Sequence, residues 1–358
     1  MKLLIGLLLA LVACKGEPRR APAAGSGSGS STAPPVTTID PHIAELPGEL
    51  WFVEDGPPHR LVRLAGAKRI TVEARLFPSS ARLADGRLVA IRSDGDGSPD
   101  SEQLTLVTAD GTQTPLGPAA PQVRDPVAAA TSIIAAIQIE GRSELHHIDI
   151  ASGKATPLTD NKEGNFHPEL LGTDTIVFVS SRDGDSELYK MPLAGGTQQR
   201  LTAFHKDDWE PVVSPDASTI AFMSDREGPP RVCLVAADGT KFRRLTARTD
   251  SELEESSPRW SPDGTQLAYM IRGKGRTQVV VRTIATAAET ILTPTGASDS
   301  EPTWSPDGAW IAVVRSVRDW RETQLLALPV RGGEPVRGGE PVRVSAGPAQ
   351  LPRWFAAR

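Results

Sequence analysis

From about residue 45 onward the chain alternates short apolar runs with polar turns. Thr175–Ser180, Thr219–Ser224, Gln266–Ile271 and Trp310–Arg315 are apolar segments of strand length. Second segments follow as Glu187–Lys190 and Gln278–Arg282. Inside Ile176-Val177-Phe178-Val179 the strict in-and-out alternation of a half-exposed strand is lost. Continuous apolar character over so short a run suits a strand covered on both faces. The pattern predicts an all-β domain of many short strands.

The segments recur with a period. His167-Pro168-Glu169-Leu170, Glu210-Pro211-Val212-Val213, Ser257-Pro258-Arg259-Trp260 and Glu301-Pro302-Thr303-Trp304 each precede an apolar strand. Each unit closes on a Leu-Thr pair at 158–159, 201–202, 245–246 or 292–293. Weaker copies start at Pro126, ahead of Ile133–Ile139, and at Pro78, ahead of Leu88–Arg92. With Pro352 in Leu351-Pro352-Arg353-Trp354, the leading prolines lie about 46 residues apart, the size of a four-stranded propeller blade. Ser261-Pro262-Asp263-Gly264 and Ser305-Pro306-Asp307-Gly308 are hairpin turns in composition. Proline presets φ, aspartate bonds back to the backbone, and glycine accepts φ > 0. Trp260 and Trp304 are expected to pack between neighbouring blades.

Glu49–Val53, Arg60–Leu64 and Lys68–Val72 read as three strands without a leading one, and Leu351–Phe355 as a leading strand with nothing after it. Joining them would make one shared blade and remove the open edges. Six complete repeats and this shared blade predict a single seven-bladed β-propeller of four-stranded blades over residues 45–358, closed by pairing of the N- and C-terminal strands.

These repeats resemble the TolB-type, WD40-like propeller family, also found in non-catalytic domains of prolyl oligopeptidase relatives. The resemblance implies an all-β ring, usually of six blades, which stays as the alternative count. Ser214-Pro215-Asp216-Ala217 departs from the turn pattern at its glycine, and residues 15–44 are too few and too polar for the α/β domain that precedes the TolB propeller.

Composition changes the picture mainly at the N-terminus. Lys2 and the apolar run Leu3–Ala13 suit a signal peptide (residues 1–13) and are too short to span a bilayer. Leu11-Val12-Ala13-Cys14 resembles the bacterial lipobox, which implies acylation of Cys14. Lys15 stands where retained enteric lipoproteins carry aspartate, which points to the outer membrane, with the propeller in the periplasm or at the cell surface. Residues 14–44, rich in Gly, Ser and Pro, read as the lipidated cysteine and a flexible tether. The only other cysteine, Cys233, sits in an apolar run and reads as a small buried hydrophobe. Net charge is −5, and the first forty residues are basic on balance, so the body is more acidic still. That disfavours nucleic acid as a partner.

Loops entering the leading strands carry His167, Asp207, Asp208, Trp209, Glu210, Glu254, Glu255, Asp299 and Glu301. An acidic, partly aromatic rim of this kind is the candidate surface for a basic peptide or a cation. The six histidines show no metal-ligand spacing, and no Gly-x-Ser-x-Gly elbow is present. The acidic stretch Asp94–Glu102 lacks the spacing of a calcium loop and its helices. The sequence therefore points to a monomeric, non-enzymatic, cofactor-free scaffold, anchored in the envelope and binding a protein or peptide at one ring face. The alternatives are a lyase or hydrolase acting on glycan in the channel, with His167 and His205 as its only echoes, and a glycan- or calcium-binding propeller. The tandem VRGGEP duplication at 330–341 reads as a lengthened hairpin.

Overall fold

The leading prolines mark the first strands of a closed ring of seven blades, seen in a computed structural model. It describes residues 40–55, 59–73, 75–94, 101–161, 163–294, 296–316, 323–331, 334–335, 340–345 and 347–357, all within the unit Thr37–Arg358. Cys14, residues 95–100 of the acidic stretch and half of the duplication lie outside the described residues.

Blades 1 to 6 begin with the strands Leu76–Arg82, Val123–Ala128, Asn165–Leu171, Asp208–Val213, Glu254–Trp260 and Ser298–Trp304. In each blade the following strands pair antiparallel in sequence order, moving outward. Blade 6 gains a short extra pairing, Val330 with Pro335 and Arg331 with Glu334, so part of the duplication does extend a hairpin. Blade 7 is the shared one: Ala349–Phe355 pairs with Glu49–Glu54, which pairs with Arg60–Ala65 and then Lys68–Glu73. First strands of neighbouring blades touch one another around the whole circle, so they form the wall of the central channel.

Seven apolar clusters hold the ring, one between each pair of adjacent blades. Trp51 and Phe52 show why the strands read as continuously apolar. Successive side chains leave a strand on opposite faces, and here Trp51 packs toward blade 1 while Phe52 packs toward blade 6. Both are essentially closed to solvent, and burial of such an aromatic is worth about 1.5–3 kcal/mol. Cys233 is buried in the same way, between blades 3 and 4, and that burial pushes its thiol up to about 12. Trp304 is buried and Trp260 half-buried. Each indole N–H donates to a first-strand carbonyl of the preceding blade, Trp260 to Val212 at 3.0 Å and Trp304 to Arg259 at 3.0 Å.

Polar repeats finish each blade from within. The hydroxyls of Thr159, Thr202 and Thr293 accept the backbone N–H of Leu145, Leu188 and Val279 at 2.8–3.0 Å, which accounts for the Leu-Thr pair. In the turns, Ser261 and Ser305 donate to Asp263 and Asp307 at 2.6 Å, and Ser261 accepts from the backbone of Gln266 at 2.9 Å. Ser214 and Asp216 keep the same bond at 2.6 Å, but Ala217 must adopt φ 56° where the other turns have glycine.

Candidate functional site

The channel wall owes its chemistry to one bulge repeated blade after blade. Pairing between first and second strands slips at the leading proline in blades 2 to 6, and a comparable slip joins the two halves of blade 7. The residue before the proline then lies in the left-handed region: Asp125, His167, Glu210, Ser257, Glu301 and Leu351 have φ between 48° and 53°. A non-glycine residue is uncommon there, and one before proline more so. A bulge re-aims side chains locally.

Charged residues directly before or after these prolines form the channel's electrostatic centre. Asp125, His167, Glu210 and Glu301 precede a proline; Glu169, Arg259 and Arg353 follow one. His167 Nε2 lies 3.4 Å from Asp125 Oδ2, and its Nδ1 is buried without a partner. Arg259 Nη1 lies 3.2 Å from Glu210 Oε1 and donates to the carbonyl of Pro258 at 2.7 Å. Glu301 accepts the N–H of Leu351 at 2.5 Å. Arg353 donates to the carbonyl of Pro352 at 2.9 Å.

These groups act on one another across the ring. Desolvation pushes the Glu169 carboxyl up to about 7; Arg259 opposes this, and the like charges of Asp125 and Glu210 add to it. Burial raises Glu301 as well, against Arg353. Burial and the neighbouring Arg259 lower Arg353 to about 10. Glu169 is half-buried.

Of the nine rim residues expected from sequence, His167, Glu210 and Glu301 reach the channel. Asp207 and Glu254 remain on the mouth: Asp207 is exposed and accepts the N–H of Ser186 at 2.8 Å, and half-exposed Glu254 pairs with Arg272 at 2.8 Å. Asp208, Glu255 and Asp299 are closed to solvent. Asp208 is held by Arg226. Glu255 accepts from the Val232 N–H at 2.9 Å and the Thr246 hydroxyl at 2.6 Å, bonds that bind blade 5 to blade 4. Asp299 accepts from Nε and Nη2 of Arg315 at 2.7 Å. These three clasp strands together and offer nothing to a ligand. Trp209 wedges into the clusters on both sides of its blade. Asp125, Glu169, Arg259 and Arg353 were not singled out from sequence, although their place next to a leading proline was a usable signal. His205 is exposed on the loop before blade 4.

Among the described residues no three His, Cys, Asp or Glu side chains converge as metal ligands, and no helix is long and apolar enough to cross a membrane.

The chain is 30% identical over 153 residues to a TolB homolog of Chlorobium luteolum, covering 31% of this chain and 34% of the relative. It spans less than half the length of such curated relatives. Crystallised TolB from Acinetobacter baumannii is similar in fold at 20% identity and a TM-score of 0.55, covering 86% of this chain and 66% of the other. An oligogalacturonate lyase in complex with manganese is similar at 14% identity and a TM-score of 0.58, covering 82% and 85%. Residues 132–354, more than half of the chain, match the family described as the TolB beta propeller domain, and the protein belongs to that family.

Proposed function

We propose that this protein is an envelope-anchored, non-catalytic propeller that docks a protein or peptide partner at the face where the leading strands enter the ring. The observation that carries the reading is the channel itself. Six bulged positions hold non-glycine residues in strained backbone, and several of them, with the residues beyond the prolines, leave charge facing the lumen. Strain maintained at successive equivalent positions fits a binding surface better than a passive wall.

The described chain enters the ring on the face opposite the mouth. Its short 3-10 turn Pro41–Glu45 leads into Glu49, opposite Phe355 at the far end of blade 7's first strand. A side chain at Gly48 would meet the Phe355 carbonyl and Pro306 of a Ser-Pro-Asp-Gly turn, and Trp354 donates to the Pro47 carbonyl at 2.5 Å. Residues 1–13 are proposed as a signal peptide and residues 14–44 as a tether held by an acylated Cys14.

A photoreactive residue at Asp207, on the mouth, should give one discrete adduct in intact cells, and the same residue at Ile291, exposed on an outer strand, should give none. Equal adducts from both sites, or none from either, refute the reading. Loss of labelled fatty acid from Cys14→Ser tests the anchor.

The His167–Asp125 pair favours a second reading, acid–base catalysis on an acidic glycan in the channel. Unsaturated product released from oligogalacturonate by the native chain, and lost in His167→Gln, would replace the docking reading with this one.

A further inference from the structure

We infer that the open groove between the outermost strand of blade 4 and the third strand of blade 5 binds a free small oxyanion, a phosphate or a dicarboxylate, through Arg243 and Arg282. This site lies away from the mouth and does not rest on the docking reading. The groove measures about 530 Å³ and is lined by Arg243, Arg244, Leu245, Thr246, Ala247 and Arg282. Sites for small molecules run from about 300 to 1,000 Å³. Half of the lining residues are arginine and none is acidic, on a chain whose net charge is −5. The other blades show that the fold does not require the two arginines. Blades 2 to 6 each end on a hydroxyl residue: Thr159, Thr202, Thr246, Thr293 and Ser345. Three residues before it stand Thr156, Gln199, Arg243, Thr290 and Val342, so blade 4 alone of these carries a charge there. The residue before each hydroxyl donates its N–H to Leu145, Leu188, Val232, Val279 or Leu325 on the third strand. Three residues further along that strand stand Ile148, Met191, Val235, Arg282 and Leu328. The four apolar ones are buried at 0–6% exposure, while the Arg282 side chain is 16% exposed. The two departures from the repeat thus meet across one groove, and such departures are expected at functional sites.

The neighbouring carboxylates leave these guanidiniums short of acceptors. Among the described residues the Arg243 side chain has neither a hydrogen-bond nor an ion-pair partner. Arg282 Nη1 reaches Glu289 at 2.7 Å, but the same carboxylate also serves Arg248 and the Tyr269 hydroxyl. Arg244 gives Nη1 to Glu227 at 2.8 Å and Nη2 to the Arg248 carbonyl at 2.6 Å, and its Nε is buried without a partner. A guanidinium presents a planar fork of donors that matches two oxygens of a carboxylate or a phosphate. An oxyanion between Arg243 and Arg282 supplies the missing acceptors and removes the repulsion of two like charges across the groove. A cation or a neutral ligand does neither.

Titration calorimetry on the full-length chain at low ionic strength, where surface charge is least screened, takes inorganic phosphate and succinate as separate probes. Binding of either supports an oxyanion site, and the tighter of the two names the ligand class. Arg243→Gln installs the residue type that blade 3 carries at Gln199, and Arg282→Leu the type that blade 6 carries at Leu328. Both variants should therefore fold, with unchanged circular dichroism, and each should weaken binding about tenfold. Should Arg282→Leu not fold, Arg243→Gln decides alone, because its side chain is exposed and unpartnered. Arg142→Gln removes the same charge from an exposed hairpin of blade 2 and should leave affinity unchanged. The proposal is overturned by the absence of heat from both ions or by native affinity in Arg243→Gln. A loss in Arg142→Gln as large as in the groove variants overturns it too. Adducts from Asp207 do not involve this groove, so failure here is separable from failure of docking.

Discussion

Asp299 and Glu301 stand two residues apart on one strand and have opposite fates. Asp299, three residues before Pro302, is closed to solvent and grips Arg315 through two bonds of 2.7 Å. Glu301, directly before the same proline, sits in the channel with strained backbone and a raised carboxyl. The contrast recurs in Asn165 against His167 and in Asp208 against Glu210. Acidity therefore says little about role in this ring. The distance of a residue from the leading proline decides whether its charge is neutralised between strands or left facing the lumen.

The comparison breaks most visibly at the buried clasp. Asp299→Ala would leave the Arg315 guanidinium, 16% exposed, without its partner. Removing one member of a buried pair costs roughly 3–5 kcal/mol, and urea unfolding should show that loss. Glu301→Gln keeps an acceptor for the Leu351 N–H and should cost less than about 1 kcal/mol. Equal losses would mean that channel carboxylates and buried clasps do the same structural work.

The next effect has the opposite sign. A carboxyl whose folded pKa is raised favours folding only while protonated. For Glu169 that contribution is complete below about 4.5 and is lost as pH rises through about 7. Glu169→Gln, which carries no charge at any pH, should therefore be more stable than the native chain at pH 8 by roughly 1–3 kcal/mol, allowing for solvent in the channel. The advantage should disappear near pH 4.5. Thermal unfolding at several pH values reads this directly, and a pH-independent difference would mean that the ring does not raise the Glu169 carboxyl.

Much of this was legible beforehand, and for identifiable reasons. The proline period, the continuous apolar runs and the unmatched terminal strands fixed seven blades and their closure, because each follows from strands that cannot bury two faces alone. The strand Thr175–Ser180 has the bounds read from its apolar run. The site was read less well. His167, Glu210 and Glu301 were found by their place near the mouth, but so were Asp208, Glu255 and Asp299, because hydropathy does not distinguish a buried clasp from an exposed rim. Burial of those three depends on arginine, threonine and backbone N–H partners up to twenty-three residues away, such as the Val232 N–H for Glu255. Glu169, Arg259 and Arg353 were passed over because the bulge that turns both neighbours of proline toward the channel is a backbone feature.

The smallest predicted effect asks whether strain at the bulges differs from strain in the turns. Ala217 holds φ 56° in a turn where Gly264 and Gly308 hold about 70°, and no ligand chemistry depends on its methyl. Ala217→Gly removes a left-handed penalty of roughly 1–2 kcal/mol, partly offset by the greater freedom of glycine in the unfolded chain. A net gain of about 0.5–1 kcal/mol should appear as a raised unfolding midpoint. His167→Gly relieves φ of 48° in the same way, but it also removes an imidazole packed edge-on to Phe166 and paired with Asp125. Its stability should stay near that of the native chain, the two changes cancelling. If both glycine variants gain equally, the side chain at the bulge contributes nothing to the folded ring. If only Ala217→Gly gains, the channel's strain is held in place by contacts that the turn lacks.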